Sequence, residues 1–127
     1  MEMLFKGLTD QIIGCFYDVY NTLGFGFLEK VYENALLIRF KEIGLKVDNQ
    51  VPLNVYFHEQ NIGKYYADII VEDKVILELK AEEILNIRSE YQLLNYLKAT
   101  NIEIGLVLNF GKQAEIRRKI FTNDRKR

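Results

Sequence analysis

The stretch from Tyr66 to Lys80 constrains the fold of this chain more than any other part of the sequence. Two short runs rich in isoleucine, valine and leucine flank the polar residues 72–74, a pattern that predicts two β-strands joined by a tight turn. The apolar runs contain three charged residues where a buried strand would carry none: Asp68, Glu78 and Lys80. These three charges therefore need an explanation of their own.

The length of the turn decides how the charged residues are arranged. Strand side chains alternate between the two faces of a sheet, so Glu78 and Lys80 point the same way. If Val71 pairs with Val75 across a three-residue loop, Asp68 falls directly opposite Glu78, with the two Cβ atoms roughly 5 Å apart. A two-residue loop would instead put the two carboxylates on opposite faces.

Two carboxylates side by side in an apolar strand pair repel each other and are costly to remove from water. A divalent cation offsets that cost, and hard oxygen ligands favour Mg²⁺ or Mn²⁺. Lys80 on the same face could hold a phosphate oxygen or an attacking water. The alternative is a solvated, charged strand face with a Glu–Lys pair, and the spacing alone leaves both explanations open.

The size and composition of the chain narrow the class of protein. With 127 residues, 49% hydrophobic and 28% charged, we expect one soluble domain over residues 1–127. No apolar run approaches the ~20 residues that cross a bilayer, and the N-terminus has no signal-peptide layout. The single cysteine, Cys15, excludes an intramolecular disulfide and is expected to be a buried helix residue. These features predict a cytoplasmic protein with no membrane partner.

Two further observations concern the site chemistry. The lone histidine, His58, falls in a predicted turn, which argues against a zinc site and against a catalytic triad. The net charge of −1 hides an asymmetry, because residues 112–127 carry seven Lys or Arg against two Asp or Glu. A basic tail beside an acidic pocket could hold phosphates while the pocket holds a metal. The alternative is a solvated tail that only aids solubility.

Apolar periodicity and turn residues predict the element order ααβββαββ. Helices are predicted over residues 9–23, 28–43 and 87–100, and strands over residues 47–57, 62–71, 75–80, 102–110 and 115–121. Pro52 favours an edge position for the first strand, and the continuous apolar run of residues 102–110 favours an inner strand. The fold class is therefore α/β, with a central mixed sheet of about five strands flanked by helices.

The charged hairpin and the helix that follows it resemble the motifs of a known superfamily. Asp68 followed by Glu78-Leu79-Lys80 resembles the D…(D/E)-x-K signature of the PD-(D/E)xK nucleases. Gln92 and Tyr96 are similar to the Q-x-x-x-Y motif of the RecB-like branch of these nucleases.

A second motif lies upstream. Gly26, Glu29 and Tyr32 read as G-x-x-E-x-x-Y, which resembles the motif that names the small bacterial and archaeal GxxExxY proteins. The resemblance extends from about Leu8 to about Phe121, and it also includes the segments that begin at Gln50 and at Leu108.

The resemblance implies a restriction-endonuclease-like core and a metal-dependent phosphodiester hydrolase that acts on nucleic acid, DNA ahead of RNA. It implies that Asp68, Glu78 and the Leu79 carbonyl bind Mg²⁺ or Mn²⁺. Lys80 would orient the nucleophile or steady the phosphate, and Gln92 with Tyr96 would position the nucleic-acid backbone.

A glutamate of the first core helix often completes such a site through water, and here Glu29 and Glu33 are the candidates. Glu29 has a structural explanation in the helix dipole, whereas Glu33 sits deeper among apolar neighbours, which puts it first. Gln50 is a further candidate site residue. The sequence leaves the choice between the two glutamates open.

Two other functions stay open beside the nuclease. One is a non-catalytic nucleic-acid-binding or regulatory module that retains the nuclease fold. The other is a dimeric scaffold in which the charged triplet is an ion-pair cluster. The predicted leading helix is additional to the minimal core of the superfamily and could serve as a homodimer surface.

Overall fold

The computed structural model describes residues 5–126, and within this range the elements follow the predicted order ααβββαββ. Their bounds are α1 Lys6–Leu23, α2 Glu29–Glu42, β1 Val47–Phe57, β2 Gln60–Val71, β3 Val75–Lys80, α3 Arg88–Lys98, β4 Ile104–Phe110 and β5 Ala114–Ile120, followed by a 3₁₀ turn at Asn123–Arg125. The five strands form a mixed sheet in the order β1-β2-β3-β4-β5, with β3 and β4 parallel and the other neighbours antiparallel. This architecture confirms the predicted fold class.

Helices cover both faces of the sheet. On one face, α1 and α2 pack against the strands through a core that includes Phe16, Tyr32 and Phe110. On the other face, α3 packs through Leu93 and Leu97 against residues of β3 and β4. All seven residues of β4 are buried, which confirms the predicted inner strand, and Cys15 is buried in α1 as expected.

The first helix starts one turn earlier than its sequence pattern predicts. Thr9, which the pattern takes as the start of α1, lies inside the helix, and its hydroxyl donates to the Phe5 carbonyl at 2.9 Å. At the other end the prediction is confirmed, because Gly24 has a φ of 70°, a left-handed conformation that favours glycine. Its N–H donates to the Tyr20 carbonyl at 2.7 Å.

The β1–β2 turn is shorter than predicted. The sequence favours a turn over residues 58–61, but β2 already begins at Gln60. His58 and Glu59 form a two-residue loop in which both φ angles are positive, at 48° and 65°. This is the backbone of a type I′ turn, which asparagine and glycine normally signal. Neither residue type is present, so the sequence carries no sign of the tight loop.

The β2–β3 turn has the three-residue loop that was one of the two alternatives. Val71 pairs with Val75, which sets Asp68 in register with Glu78. The pairing, however, runs only from Val71–Val75 to Ile69–Leu77. Beyond it, β2 continues beside β1 and the end of β3 continues beside β4. A gap between β2 and β3 therefore opens at Asp68.

Candidate functional site

The Asp68 side chain occupies the point where the β2–β3 pairing ends. Its Oδ2 atom accepts a hydrogen bond from the Leu79 backbone N–H at 2.8 Å. Ala67 packs in the α3 layer and Ile69 in the α1–α2 layer, although strict alternation would put both on one face. The regular strand geometry is thus interrupted at Asp68, and its carboxylate is turned towards β3.

Glu78 lies across this gap from Asp68 and is only 5% exposed. Burial raises the pKa of the Glu78 carboxyl to about 9, helped by a hydrogen bond to Asp68 and by the Asp68 charge, while Lys80 acts in the opposite direction. Within residues 5–126, the Glu78 Oε2 atom has no hydrogen-bond partner. The site is therefore not the solvated strand face that the sequence left open.

Glu33 reaches the same site from α2 and is 4% exposed. Its Oε1 accepts from Gln50 Nε2 at 2.8 Å, and its Oε2 accepts from Lys30 Nζ at 2.9 Å and from Asn49 Nδ2 at 3.3 Å. Gln50 Nε2 also lies 3.4 Å from Asp68 Oδ1. A single amide group thus connects Glu33 to Asp68.

Gln50 holds this position through an unusual backbone. Its φ is 50°, a left-handed conformation that costs a residue other than glycine roughly 1–2 kcal/mol. Gln50 stands opposite Asp68 in the β1–β2 register, between the pairs Asn49–Ile69 and Val51–Ala67. The irregularities of β1 and β2 therefore coincide at the point where the site is built.

Glu29 lies at the more open side of the site. Its side chain is exposed, yet partial desolvation raises the pKa of its carboxyl, with Lys80 lowering that pKa and Asp68 and Glu82 raising it. The pKa of the Glu29 carboxyl therefore depends on the charges of the site. Of the two candidate glutamates, Glu33 is the one that a direct hydrogen-bond partner links to Asp68.

Gln92 and Tyr96 of α3 flank Glu78 on the opposite face of the sheet. Gln92 Nε2 donates to the Tyr96 hydroxyl at 2.7 Å. Burial raises the pKa of Tyr96 to about 12, and the negative charge of Glu78 is the next largest cause. The pair predicted from the sequence is thus formed beside the carboxylates, and its role in positioning a substrate stays a prediction.

The glycine and tyrosine of the G-x-x-E-x-x-Y motif have a structural role. The Tyr32 hydroxyl donates to the Gly24 carbonyl at 2.5 Å and accepts from the Phe27 N–H at 3.2 Å. Its ring stacks on Phe110 with centroids 4.2 Å apart, and Gly26 has a φ of 123°. Together they fix the loop that leads into α2, and thereby the place of the motif glutamate.

Asn109 is a functional-site neighbour whose role the sequence did not reveal. It is fully buried and pairs with Lys80 across the β3–β4 register. Its Oδ1 accepts from the Glu82 N–H and its Nδ2 donates to the Glu82 carbonyl, both at 2.9 Å. Asn109 therefore fixes the chain as it leaves Lys80. The available signal was a single polar residue within the otherwise apolar stretch Ile104–Phe110.

The basic C-terminal residues contact the domain instead of extending from it. Lys112, Arg117 and Lys119 form ion pairs with Glu83, Glu115 and Glu90 at 2.6, 3.0 and 2.7 Å, respectively. Lys126 Nζ donates to the carbonyls of Thr100 and Ile102, each at 2.8 Å. These contacts favour a structural role for much of the basic tail.

Within the described residues, the candidate metal ligands are the groups named above. No cluster of three or more His, Cys, Asp or Glu side chains in residues 5–126 is arranged to hold a metal ion. The donors at the β2–β3 gap are the two carboxylates of Asp68 and Glu78, with Leu79 between Glu78 and Lys80 on the chain. Over the same range, no helix is both long and apolar enough to cross a membrane.

Comparison with known proteins assigns the chain to a family. A sequence model described as the PD-(D/E)XK nuclease superfamily matches residues 6–119, so the chain belongs to that superfamily. No curated protein and no solved structure matches the chain. The superfamily assignment made from the motifs is therefore confirmed, whereas the narrower GxxExxY assignment stays a prediction.

Proposed function

We propose that the protein is a Mg²⁺- or Mn²⁺-dependent phosphodiester hydrolase that acts on nucleic acid, DNA ahead of RNA. The observation that carries the proposal is the buried Glu78 Oε2 atom, which has no hydrogen-bond partner among residues 5–126 and lies next to a second carboxylate. A buried, unpaired carboxylate oxygen is costly. Either a proton or a cation relieves that cost.

The residues present fit a hard divalent cation. Asp68 and Glu78 would hold it together with the Leu79 carbonyl, an all-oxygen donor set of the type that Mg²⁺ and Mn²⁺ prefer. When bound, the cation would lower the pKa of a coordinated water and offset charge on the scissile phosphate. With no cation, the Glu78 pKa of about 9 keeps that carboxyl protonated at neutral pH.

The other site residues have supporting roles. Lys80 lies close enough to lower the pKa of both Glu78 and Glu29, and it would orient the attacking water or steady the phosphate. Glu33 would act through water. The Gln50 amide keeps the Glu33 carboxylate close to Asp68. Gln92 and Tyr96 would position the nucleic-acid backbone from the α3 side.

The first test is a calorimetric titration of Mn²⁺ into the wild-type protein, Asp68→Ala and Glu78→Ala. We expect wild type to bind and both variants to lose binding, while Asp10→Ala, an exposed acid on α1, binds as wild type does. Repeating the titration in buffers of different ionisation enthalpy measures the protons released. The proposal predicts about one proton near neutral pH, because metal ligands must be deprotonated.

The second test is cleavage of mixed DNA and RNA substrates with the same samples. Lys80→Ala should retain Mn²⁺ binding and lose metal-dependent cleavage, because the ammonium acts on the substrate and not on the metal. Metal binding with no cleavage by wild type would point to the non-catalytic binding module. Absence of Mn²⁺ binding at millimolar concentration would refute the active-site proposal.

A further inference from the structure

The β1–β2 hairpin extends well past the part of the sheet that the other strands cover. β1 and β2 pair from Val47–Val71 to Phe57–Gln60, but β2 pairs with β3 only at residues 69–71. Residues 51–67 therefore form a two-stranded arm, here called the hairpin arm. It begins where the proposed catalytic site lies.

The two faces of the hairpin arm differ in what they contact. Leu53 and Tyr65 pair across the two strands and share one face. On that face, Leu53 and Ala67 pack in the α3 layer, and the Tyr65 ring lies 5.8 Å from the Tyr96 ring. Because strand side chains alternate, the neighbouring residues point away from α3.

The opposite surface, called the outer face, carries large side chains that remain exposed. Its members are Tyr56, Lys64 and Tyr66, where Tyr56 pairs with Asn61 beyond a register shift that leaves Ile62 unpaired. Tyr66 and Tyr56 are 50% and 62% exposed. The Lys64 ammonium lies 5.6 Å from the centroid of the Tyr66 ring. Exposed apolar residues gathered on one surface mark an interaction site.

The outer face is continuous with the proposed catalytic site. Lys64 and Tyr66 lie two residues apart on β2 and project to the same side of the strand, and Asp68, where the regular alternation ends, follows after two more residues. At ~3.3 Å per residue, the Tyr66 ring starts only about 7 Å along the strand from Asp68. A polymer lying on the outer face would therefore run directly into the site.

We propose that the outer face binds the unpaired bases of single-stranded nucleic acid and delivers that strand to Asp68 and Glu78. The inference rests on the proposed function and names its substrate class. Exposed aromatic rings stack on bases of any sequence, and a neighbouring cation matches the phosphate charge. Tyr66 and Lys64 provide this combination nearest to the site, and Tyr56 provides a second ring towards the far end of the arm.

The chemistry of the outer face distinguishes a single strand from a duplex. A β-ribbon that reads the major groove needs polar side chains for base edges and phosphates. The three residues that define the outer face are two tyrosines and one lysine, and the two asparagines beside them, Asn54 and Asn61, hydrogen-bond to each other. The ion pairs and carbonyl contacts of Lys112, Arg117, Lys119 and Lys126 also engage four of the basic groups that could otherwise contact a duplex backbone.

The test is fluorescence anisotropy with a labelled single-stranded oligonucleotide and with the duplex of the same sequence, both in EDTA. We expect wild type to bind the single strand more tightly than the duplex. Tyr66→Ala should weaken single-strand binding by about 5- to 100-fold, the range that loss of one stacked base gives. Tyr66→Phe, which keeps the ring, should bind as wild type does, and so should Tyr17→Ala, which removes an exposed tyrosine of α1.

The outcomes separate this inference from the proposed function, because binding in EDTA requires neither metal nor cleavage. If wild type cleaves nucleic acid but Tyr66→Ala and Tyr56→Ala bind the single strand normally, the hydrolase stands and the outer-face proposal fails. Equal or tighter duplex binding also refutes it. Tyr66-dependent single-strand binding without metal-dependent cleavage supports the surface and refutes the hydrolase. If Tyr66→Ala instead converts a dimer to a monomer in sedimentation, a second copy covers the outer face and the proposal fails.

Discussion

The α2 side and the β3 side of the site each contribute one buried glutamate, and the two differ sharply. Glu33 on α2 and Glu78 on β3 are 4% and 5% exposed. Glu33 has donors on both oxygens, from Gln50, Lys30 and Asn49. Glu78 has an oxygen with no partner within residues 5–126, and its pKa rises to about 9.

This difference distinguishes a buried carboxylate that supports a site from one that can bind a ligand. The protein itself provides hydrogen-bond donors to both carboxylate oxygens of Glu33, so Glu33 can serve as part of the framework. For Glu78 the protein provides burial and a second carboxylate, both of which oppose ionisation. Within residues 5–126, Lys80 favours the charged form of Glu78 but does not offset these effects, and the proposed metal ion would stabilise that charge.

The strongest test of this contrast is the pH dependence of stability in EDTA. The unfolded chain loses the Glu78 proton above pH 4.5, whereas the native state keeps it up to about pH 9. Glu78 therefore stabilises the fold below pH 4.5, and that contribution is lost as the pH rises towards 9. In this window the free energy of unfolding should fall by up to ~1.4 kcal/mol per pH unit from this group.

Glu78→Gln should remove that slope and be more stable than wild type at pH 8, while losing Mn²⁺ binding. Urea unfolding of wild type and variant at pH 5, 6.5 and 8 measures both slopes. Glu33→Gln is the matched control and should keep the wild-type slope. Equal slopes for Glu78→Gln and wild type would show that Glu78 ionises normally and would remove the contrast between the two glutamates.

The second prediction concerns Glu33 as a support of the metal site. Glu33→Gln should weaken Mn²⁺ binding by roughly 10- to 100-fold, the effect typical of residues that orient metal ligands. It should also lower stability, because Lys30 and Gln50 lose a charged acceptor. Calorimetry and urea unfolding give the two quantities. Unchanged Mn²⁺ affinity would limit Glu33 to a purely structural role.

The third prediction concerns Gln50, which joins the two sides of the site. Gln50→Gly should lower Mn²⁺ affinity by about 10-fold, within the range for such supporting residues. Stability should change by no more than about 1 kcal/mol, because glycine relieves the left-handed backbone but loses more entropy on folding. Gln50→Asn is the comparison, since asparagine tolerates the same backbone with a shorter amide. If Gln50→Asn retained full Mn²⁺ affinity, the contact between Gln50 and Glu33 would be unimportant for metal binding.

The smallest expected effect belongs to Lys30, the exposed partner of Glu33. Its ammonium is 2.9 Å from Glu33 Oε2, but its side chain is 62% exposed. Lys30→Ala should therefore cost less than about 1 kcal/mol of stability, as for other exposed ion pairs. Thermal unfolding at low and high salt measures this loss. A cost above 2 kcal/mol would show that Gln50 and Asn49 alone do not satisfy Glu33.

Local patterns in the sequence were sufficient for much of the fold and for the centre of the site. Apolar periodicity gave the element order, because burial on one face or both faces leaves a repeat of known period. Asp68, Glu78 and Lys80 were visible because charges are rare in such runs. The charge at Glu33 was also detectable, since it stands among apolar residues on the inner face of α2.

Other features of the site depended on contacts that no local pattern records. The sequence left two turn lengths open, and only the packed sheet selected Val71–Val75 and ended the pairing at Ile69–Leu77. The left-handed backbone of Gln50, a residue type that carries no such signal, arises where β1 crosses the site. The sequence also failed to predict the two-residue loop at His58 and Glu59, because these residue types carry no signal of a left-handed backbone.

The sequence by itself determined which chemical groups this protein has and which strands and helices carry them. Only the tertiary structure decided that both Glu33 oxygens would have donors while Glu78 Oε2 would have none among residues 5–126. The physical reason is that a carboxylate's environment depends on which donors distant segments bring within 3 Å or so, a distance set by hydrogen bonding. Residues 17 positions apart, such as Glu33 and Gln50, meet only when the whole sheet and its helices have packed.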